Sequence, residues 1–370
     1  MQTTLASWGR LNRVALIGSY LPRRCGIATF TADLSESLAR AAPSVDFWAV
    51  AMNDRPEGYV YPHRVKFEVN ANRRSDYRLA ADFLNLGNVD VVCLQHEFGI
   101  FGDRDGELVL ELLGKLRIPV MATLHTVLKD PSNRRRRLVA EMAEITDRLI
   151  VMSELAAELL QEVYRIPEDK IAKIPHGIHD VPFADPNYYK DLFAVEGKKV
   201  LLTFGLLSPG KGIEGMIDAL PQVVAKHPDA VYIVLGATHP AEKLGQGEDY
   251  RHSLQRRAAE RGVSDHVIFH NKFVELQELK EFLGAADVYV TPYPNEAQIV
   301  SGTLAYAMGS GKATVSTPYW YAMEMLAEDR GILVPFEDQE SLAAAVIELL
   351  DNEVQRHAMR KRAYLYTRQM

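Results

Sequence analysis

The sequence predicts an α/β protein of two doubly wound domains, each built on a parallel sheet. Three observations predict it. Short apolar runs alternate with longer amphipathic segments along the whole chain. The alternation breaks once, between Pro182 and Val195, and then restarts. The chain's 370 residues exceed one ordinary core and suit two.

The strands justify the sheet. "RVALIG", "DVVCLQ", "PVMATLH" and "RLIVMS" in the first half are β-branched, nearly unbroken apolar runs, as are "KVLLTFG", "AVYIVLG", "HVIFH", "DVYVTP" and "ATVST" in the second. Polar residues or Gly and Pro bound each run, the pattern of strands buried on both faces. Between them lie helical patterns such as "ATFTADLSESLARA", "GIEGMIDALPQVVAKH" and "SLAAAVIELLDN". Strand-helix alternation gives parallel sheets with right-handed crossovers. The stretch "VPFADPNYYKDLFAVEGKK" is rich in Pro, Asp and aromatics without periodicity, so it reads as the linker. After it, "KKVLLTFGLLSPGKGIEGMIDAL" repeats the strand, Gly/Pro loop and helix of "NRVALIGSYLPRRCGIATFTADL". The expected domains are residues 1–185 and 195–355. A basic amphipathic helix at 356–370 ends the chain abruptly, as a fragment of a longer protein would.

Composition narrows the class. The chain is 47% apolar and 25% charged, with 42 Lys and Arg against 49 Asp and Glu, a formal net charge of -7. That balance argues against nucleic acid as a partner. Cys25 and Cys93 form no Cys-x-x-Cys pair, which leaves a disulfide scaffold or zinc site without support. So few cysteines suit a reducing, cytoplasmic compartment. The apolar run near the N-terminus is too short for a signal core, and none approaches the roughly 20 residues of a membrane helix.

Ligands of open parallel sheets bind beyond the carboxyl ends of the strands, so the polar residues there are the candidates. After "RVALIG", Gly26 would let backbone approach a ligand, and Arg23 and Arg24 would meet its charge. A turn glycine beside solvated arginines is the plain alternative. After "DVVCLQ" come His96 and Glu97, and after "PVMATL" come His125 and Thr126. If the two strands are neighbours, both histidines face one crevice; a strand-end histidine also serves as a satisfied structural group. No third ligand stands at metal spacing. In the second half, Lys211 and Gly212 stand at a helix start, where an ammonium beside free N–H groups makes a phosphate site. The loop lacks the Walker pattern. Ser301 is a good N-cap, and the Gly302 and Thr303 amides point out of the helix it opens. That feature is either a second anion site or only a well-capped helix. Tyr306, further along, either stacks on a ligand ring or packs in the core. The arginines at 134–137 form a solvated helix face or a peripheral membrane or phosphate contact.

In this order and spacing, the segments resemble the retaining family 4 group of glycosyltransferases of the GT-B fold. The markers are Gly26 after the first strand, "TLHT" with His125, "VMSE" with Ser153 and "IPHGI" at 174–178. In the second half they are "FGLLSPGKGIEGMIDAL", "VYIVLG", "ADVYVTPYPNEAQ" and "AYAMGSGKATVST". The resemblance covers essentially the whole chain and implies two Rossmann-like domains facing a cleft. It implies that His125 lies near the sugar at the reaction centre, with Glu296 as the second catalytic candidate. Lys211 would bind the donor phosphates, and residues 296–303, with Glu296, Gln298, Ser301, Gly302 and Thr303, would hold donor sugar and phosphate. Gly26 would approach the diphosphate, and His96 and Glu97 would line the acceptor side.

Two departures from the family pattern, at three positions, stand out. Leu206 stands where the family has an Arg clamp. Gln298 and Tyr306 stand where it has two glutamates, the second of which receives the ribose hydroxyls; a tyrosine offers no bidentate acceptor. The expected activity is transfer of a hexosyl group from an activated sugar phosphate, a nucleotide sugar by family, to a carbohydrate hydroxyl, with no metal or other cofactor. The alternatives are a GT-B phosphorylase using inorganic phosphate or a sugar 1-phosphate, and a non-catalytic sugar- or nucleotide-binding module.

Overall fold

The structure, a computed structural model, describes residues 11–240, 242, 245 and 247–370. The first ten residues, part of the stretch searched above for a signal core, lie outside these. The chain forms two compact units, Met1–Pro175 and His176–Met370.

In the first unit the strands are β1 (Arg13–Gly18), β2 (Asp46–Asn53), β3 (Val65–Asn70), β4 (Val91–His96), β5 (Val120–Leu124), β6 (Arg148–Val151) and β7 (Ile171–Lys173). They make one seven-stranded sheet in the order β3-β2-β1-β4-β5-β6-β7. Every adjacent pair is parallel. The second unit has β8 (Lys199–Phe204), β9 (Ala230–Leu235), β10 (Val267–His270), β11 (Val288–Thr291), β12 (Ala313–Ser316) and β13 (Ile332–Leu333). Their order is β10-β9-β8-β11-β12-β13, again all parallel. In each sheet the chain winds outward, returns to the middle and winds the other way. The order reverses between β1 and β4 in one unit and between β8 and β11 in the other. Crevices at such switch points receive ligands in this architecture.

Burial explains which strands stood out in the sequence. The central strands β8 and β9 are buried along almost their whole length and read as unbroken apolar runs. The edge strand β3 alternates "VKFEVN" and is only half-buried, while β7 and β13 span three and two residues. Edges this short or this alternating resist pairing with another chain, and they carry no long apolar run to detect. The strand β2, "DFWAVAMN", is apolar enough to have been expected and was missed.

The expected linker belongs to the second unit. Phe183 packs against Tyr364, with ring centroids 5.2 Å apart. Arg360 donates to the Ala184 carbonyl at 2.6 Å and to Gly311 at 2.8 Å. Tyr364 donates to Val181 at 2.8 Å, and Lys190 pairs with Asp287 at 2.9 Å. The aromatics that hid periodicity are the residues that dock this segment. The boundary therefore lies at 175/176 rather than near 185. The terminal helix, Glu353–Thr367, is likewise no separate element: Met359, Arg360, Ala363 and Thr367 are buried within the same unit.

Candidate functional site

At the switch point of the second unit, the loops after β8 and β11 meet. The β8 loop makes a 3-10 turn, Pro209–Lys211, and Gly212 then opens the helix Ile213–Lys226 in the left-handed conformation, φ +61°. A Cβ on Gly212 would lie 1.9 Å from the Pro292 carbonyl oxygen, so glycine alone lets the two loops touch. Gly205, φ +131°, is bare for a related reason: a Cβ there would lie 3.2 Å from Lys211 Nζ and 3.4 Å from Thr303 Cγ2. Lys211 and Thr303 thus flank one glycine.

Ser301 is the N-cap expected of it. Its Oγ accepts from the Leu304 N–H at 3.3 Å, and the helix Gly302–Gly309 follows. The first amides of that helix have no partner inside it, and its dipole is positive at this end. Lys211 Nζ donates to the Tyr293 hydroxyl at 2.6 Å. Tyr293 is 2.9 Å from Thr303 Oγ1, which is 3.1 Å from Ser301 Oγ. Burial alone would push the Tyr293 phenol up, but the Lys211 ammonium and the hydrogen bonds with Lys211, Thr303 and Ser301 outweigh it, and the phenol lies below its ordinary value. His176 stands at the same helix end: a Cβ on Gly302 would lie 3.0 Å from its Nε2, and its Nδ1 is 2.8 Å from the Gly177 carbonyl. Lys211, Ser301, Gly302 and Thr303 are therefore brought together.

The remaining residues of that loop differ. Glu296 and Gln298 are exposed. The Glu296 carbonyl accepts from the Gln298 and Trp320 amides, and Gln298 Nε2 donates to the Val300 carbonyl at 2.7 Å. Tyr306 is half-buried against the core, its ring 5.7 Å from His176 and 4.9 Å from His179. Leu206 is half-buried. Tyr293 and His176 were not anticipated. His176 lies in the quoted "IPHGI", and Tyr293 directly follows a strand-end Thr-Pro, so both carried a positional signal.

In the first unit, β4 and β5 are neighbours, as the two-histidine argument required. Alternation then separates the rings. His96 is wholly buried, stacked on Phe101 at 5.9 Å and edge-on to Phe98 at 5.1 Å, so it presents nothing to an acceptor. Neither ring nitrogen has a hydrogen-bond partner, and burial pushes its pKa down to about 4. His125 is nearly buried, edge-on to Phe30, with Nε2 3.0 Å from Gln95 Oε1. That oxygen only accepts, so Nε2 carries the proton. Gln95 is a further residue the sequence reading passed over.

Glu97 is half-buried and accepts from Thr126 Oγ1 at 2.6 Å and the Phe98 amide at 2.9 Å. Burial raises its carboxyl above the usual range against these bonds and against Arg135. Gly26 begins the helix Gly26–Ala41 with no atom within 4 Å of its Cβ direction, so packing does not demand a glycine there. Arg24 is exposed. Arg23 is engaged by Asp54 at 3.2 Å and the Met52 carbonyl at 3.3 Å. The arginines at 134–137 are a paired surface: Arg134 with Glu107, Arg135 with Asp105, Arg137 with Glu141, and Arg136 with the Val163 carbonyl. Among the described residues, no group of three His, Cys, Asp or Glu is placed to hold a metal. No described helix is long and apolar enough to cross a membrane.

The core position of His96 gives a pH signature. Its unfolded value is about 6.5 and its folded value about 4, so between them the unfolded chain binds the extra proton. Stability is unaffected above pH 6.5 and falls as pH drops toward 4, by about 3 kcal/mol in all. Denaturant melts of His96→Leu are expected to lose this share of the acid slope. An unchanged slope would show that the imidazole charges without cost.

Comparison with known proteins identifies the family. Residues 25–180 match Glycosyltransferase Family 4, and residues 185–366 match Glycosyl transferases group 1. The chain belongs to the group 1, family 4 glycosyltransferases. Among curated members, a phosphatidyl-myo-inositol mannosyltransferase of Mycolicibacterium smegmatis is 28% identical over 205 residues, 55% of this chain and 48% of that one. A D-inositol 3-phosphate glycosyltransferase of Thermobispora bispora is 26% identical over 251 residues, 64% of this chain and 58% of that one. The chain spans about half the length of the curated relatives it matches. Among solved structures, Anabaena HepE in complex with UDP superposes with a TM-score of 0.77 at 17% identity, covering 97% of this chain and 95% of that one. Sucrose-phosphate synthase from Thermosynechococcus elongatus gives 0.74 at 16%, covering 96% and 94%. These likenesses show that the chain has the two parallel-sheet α/β domains of the GT-B fold.

Proposed function

We propose that this chain is a retaining glycosyltransferase moving a hexosyl group from an activated sugar phosphate, a nucleotide sugar by family, to a carbohydrate-type hydroxyl. The observation that carries the reading is the convergence of Lys211 with the N-terminus of the helix Gly302–Gly309 at the β8/β11 switch point. As the glycosidic bond breaks, negative charge gathers on the departing phosphate. A full positive charge and free amide dipoles placed there stabilise it without reorganising. His125, its tautomer set by Gln95, is the group assigned to the sugar. Curated relatives named for mannosyl and inositol phosphate glycosyl transfer, and a neighbour solved with UDP and glucose, support the donor and acceptor classes.

One observation favours a second reading, a phosphorylase that uses phosphate or a sugar 1-phosphate. Tyr306 packs against His176 and His179, and Leu206 is half-buried, so neither supplies the carboxylate or guanidinium that the family gives a nucleotide donor.

A turnover panel of nucleotide sugars and sugar 1-phosphates, with the anomeric configuration of the product followed by NMR, separates the two readings. Calorimetry with the donor that turns over then tests the clamp. Lys211→Ala is expected to weaken binding by roughly 10- to 150-fold, the worth of one charge-assisted contact. Parent-like affinity in that variant would refute the phosphate clamp.

A further inference from the structure

The tripeptide Thr-Pro-Tyr occurs twice, at 291–293 and 317–319, and the family reading assigns no site role to the tyrosine of either copy. The two copies leave the carboxyl ends of the adjacent strands β11 and β12. Each proline turns its chain out of the sheet where no further ladder bond is needed. The copies then lock together. Thr317 Oγ1 donates to the Tyr293 carbonyl at 2.6 Å. The Tyr293 and Tyr319 rings stack with centroids 4.9 Å apart and planes within 19°. Tyr319 is wholly buried, and Tyr293 is 5% exposed. The Tyr293 ring is therefore a rigid post between the loops that follow β8 and β11.

Its hydroxyl sits where those loops need a fixed point. The ammonium of Lys211 can only donate, so it gives a proton to the Tyr293 oxygen at 2.6 Å. The same oxygen lies 2.9 Å from Thr303 Oγ1, within hydrogen-bond distance, with either hydroxyl able to donate. Thr303 Oγ1 is in turn 3.1 Å from Ser301 Oγ, which accepts the Leu304 amide. One phenolic oxygen thus links the lysine to the hydroxyls of the helix cap. Lys211 also lies over the Tyr293 ring, its Nζ 4.5 Å from the centroid. A lysine side chain is long and flexible, and fixing it costs rotamer entropy on binding. A lysine already held loses less.

We propose that Tyr293 is a positioning residue that preorganises Lys211 and the Ser301–Thr303 hydroxyls for the diphosphate of an activated sugar. The proposal rests on reading Lys211 as a phosphate clamp, and the test separates the two. Inorganic pyrophosphate is titrated into the full chain by calorimetry. Tyr293→Phe keeps the ring, the stack and the cation–π face but removes the oxygen, and it is expected to weaken affinity about tenfold. Thr303→Val is expected to do the same, while Thr303→Ser, which restores the hydroxyl, keeps the parent affinity. Because both act through one chain, the double variant Tyr293→Phe with Thr303→Val should lose little beyond either single one. A merely structural tyrosine would lower the melting midpoint without this coupling. Parent-like affinity in Tyr293→Phe, or strict additivity in the double variant, overturns the positioning role while leaving the clamp. Parent-like affinity in Lys211→Ala overturns the clamp and the proposal with it. Should Tyr293→Phe fail to fold, the contrast between Thr303→Val and Thr303→Ser decides: equal affinities overturn the chain.

Discussion

Gly212→Val is expected to destabilise the second unit by about 4 kcal/mol, through two costs that add. The backbone at 212 is left-handed, φ +61°, a conformation that a β-branched residue adopts only under strain. The new Cβ would also stand 1.9 Å from the Pro292 carbonyl oxygen and 2.9 Å from its carbon. No rotamer relieves a clash at Cβ, so the β8 and β11 loops must part. In a unit of about this size each kcal/mol moves the melting midpoint by roughly 2–4 °C, which predicts a drop of roughly 8–16 °C. Calorimetric scans of the full chain measure it. Gly215→Ala is the control: it lies in the following helix with nothing within 4 Å, and should be neutral or stabilising by up to about 1 kcal/mol. A midpoint for Gly212→Val within 2 °C of the parent would show that the loops do not depend on this contact.

Lys312 carries the second large effect. Its side chain is 1% exposed, and its Nζ donates to the carbonyls of Gly284 at 2.8 Å and Ala286 at 3.2 Å. Burial, with Arg360 and Lys190 nearby and Asp287 opposing, pushes its pKa down to about 7 from 10.5. A neutral amine has two N–H bonds, one for each carbonyl, so the deprotonated form suits the site. In the unfolded chain the group stays charged up to pH 10.5. Between 7 and 10.5 the unfolded state therefore binds the extra proton, and stability rises with pH across that window. The cost is fully present below pH 7, and its whole range is about 5 kcal/mol. Urea melts at pH 7 to 9.5 should show the parent gaining stability relative to Lys312→Met. The window stops there because buried tyrosines such as Tyr319 and Tyr321, whose pKa values burial raises, reverse the slope above pH 10. Parallel pH profiles would mean that the ammonium is retained at neutral cost.

The sequence by itself determined the architecture. Apolar runs such as "KVLLTF" and "AVYIVL" are strands because two-sided burial leaves them no polar face, and Gly and Pro end them where the chain must turn. It also determined where the site had to be sought, since ligands of such sheets bind at strand carboxyl ends, and Lys211 and Ser301 stood there. Ser301 as a cap is local chemistry, three residues from cap to amide, and so was legible.

Only the tertiary structure decided the rest, because the deciding contacts are long-range. Whether His96 met a ligand or the core depended on Phe98 and Phe101 closing over one face of β4. The pairing of His125 with Gln95 needed β4 beside β5. The bond from Lys211 to Tyr293 spans 82 residues, and the contact of Arg360 with Ala184 spans 176. A local pattern records which residues are apolar or charged. It does not record which loops a sheet's winding order lays side by side, and that order joins the lysine, the tyrosine and the helix cap at the β8/β11 switch point.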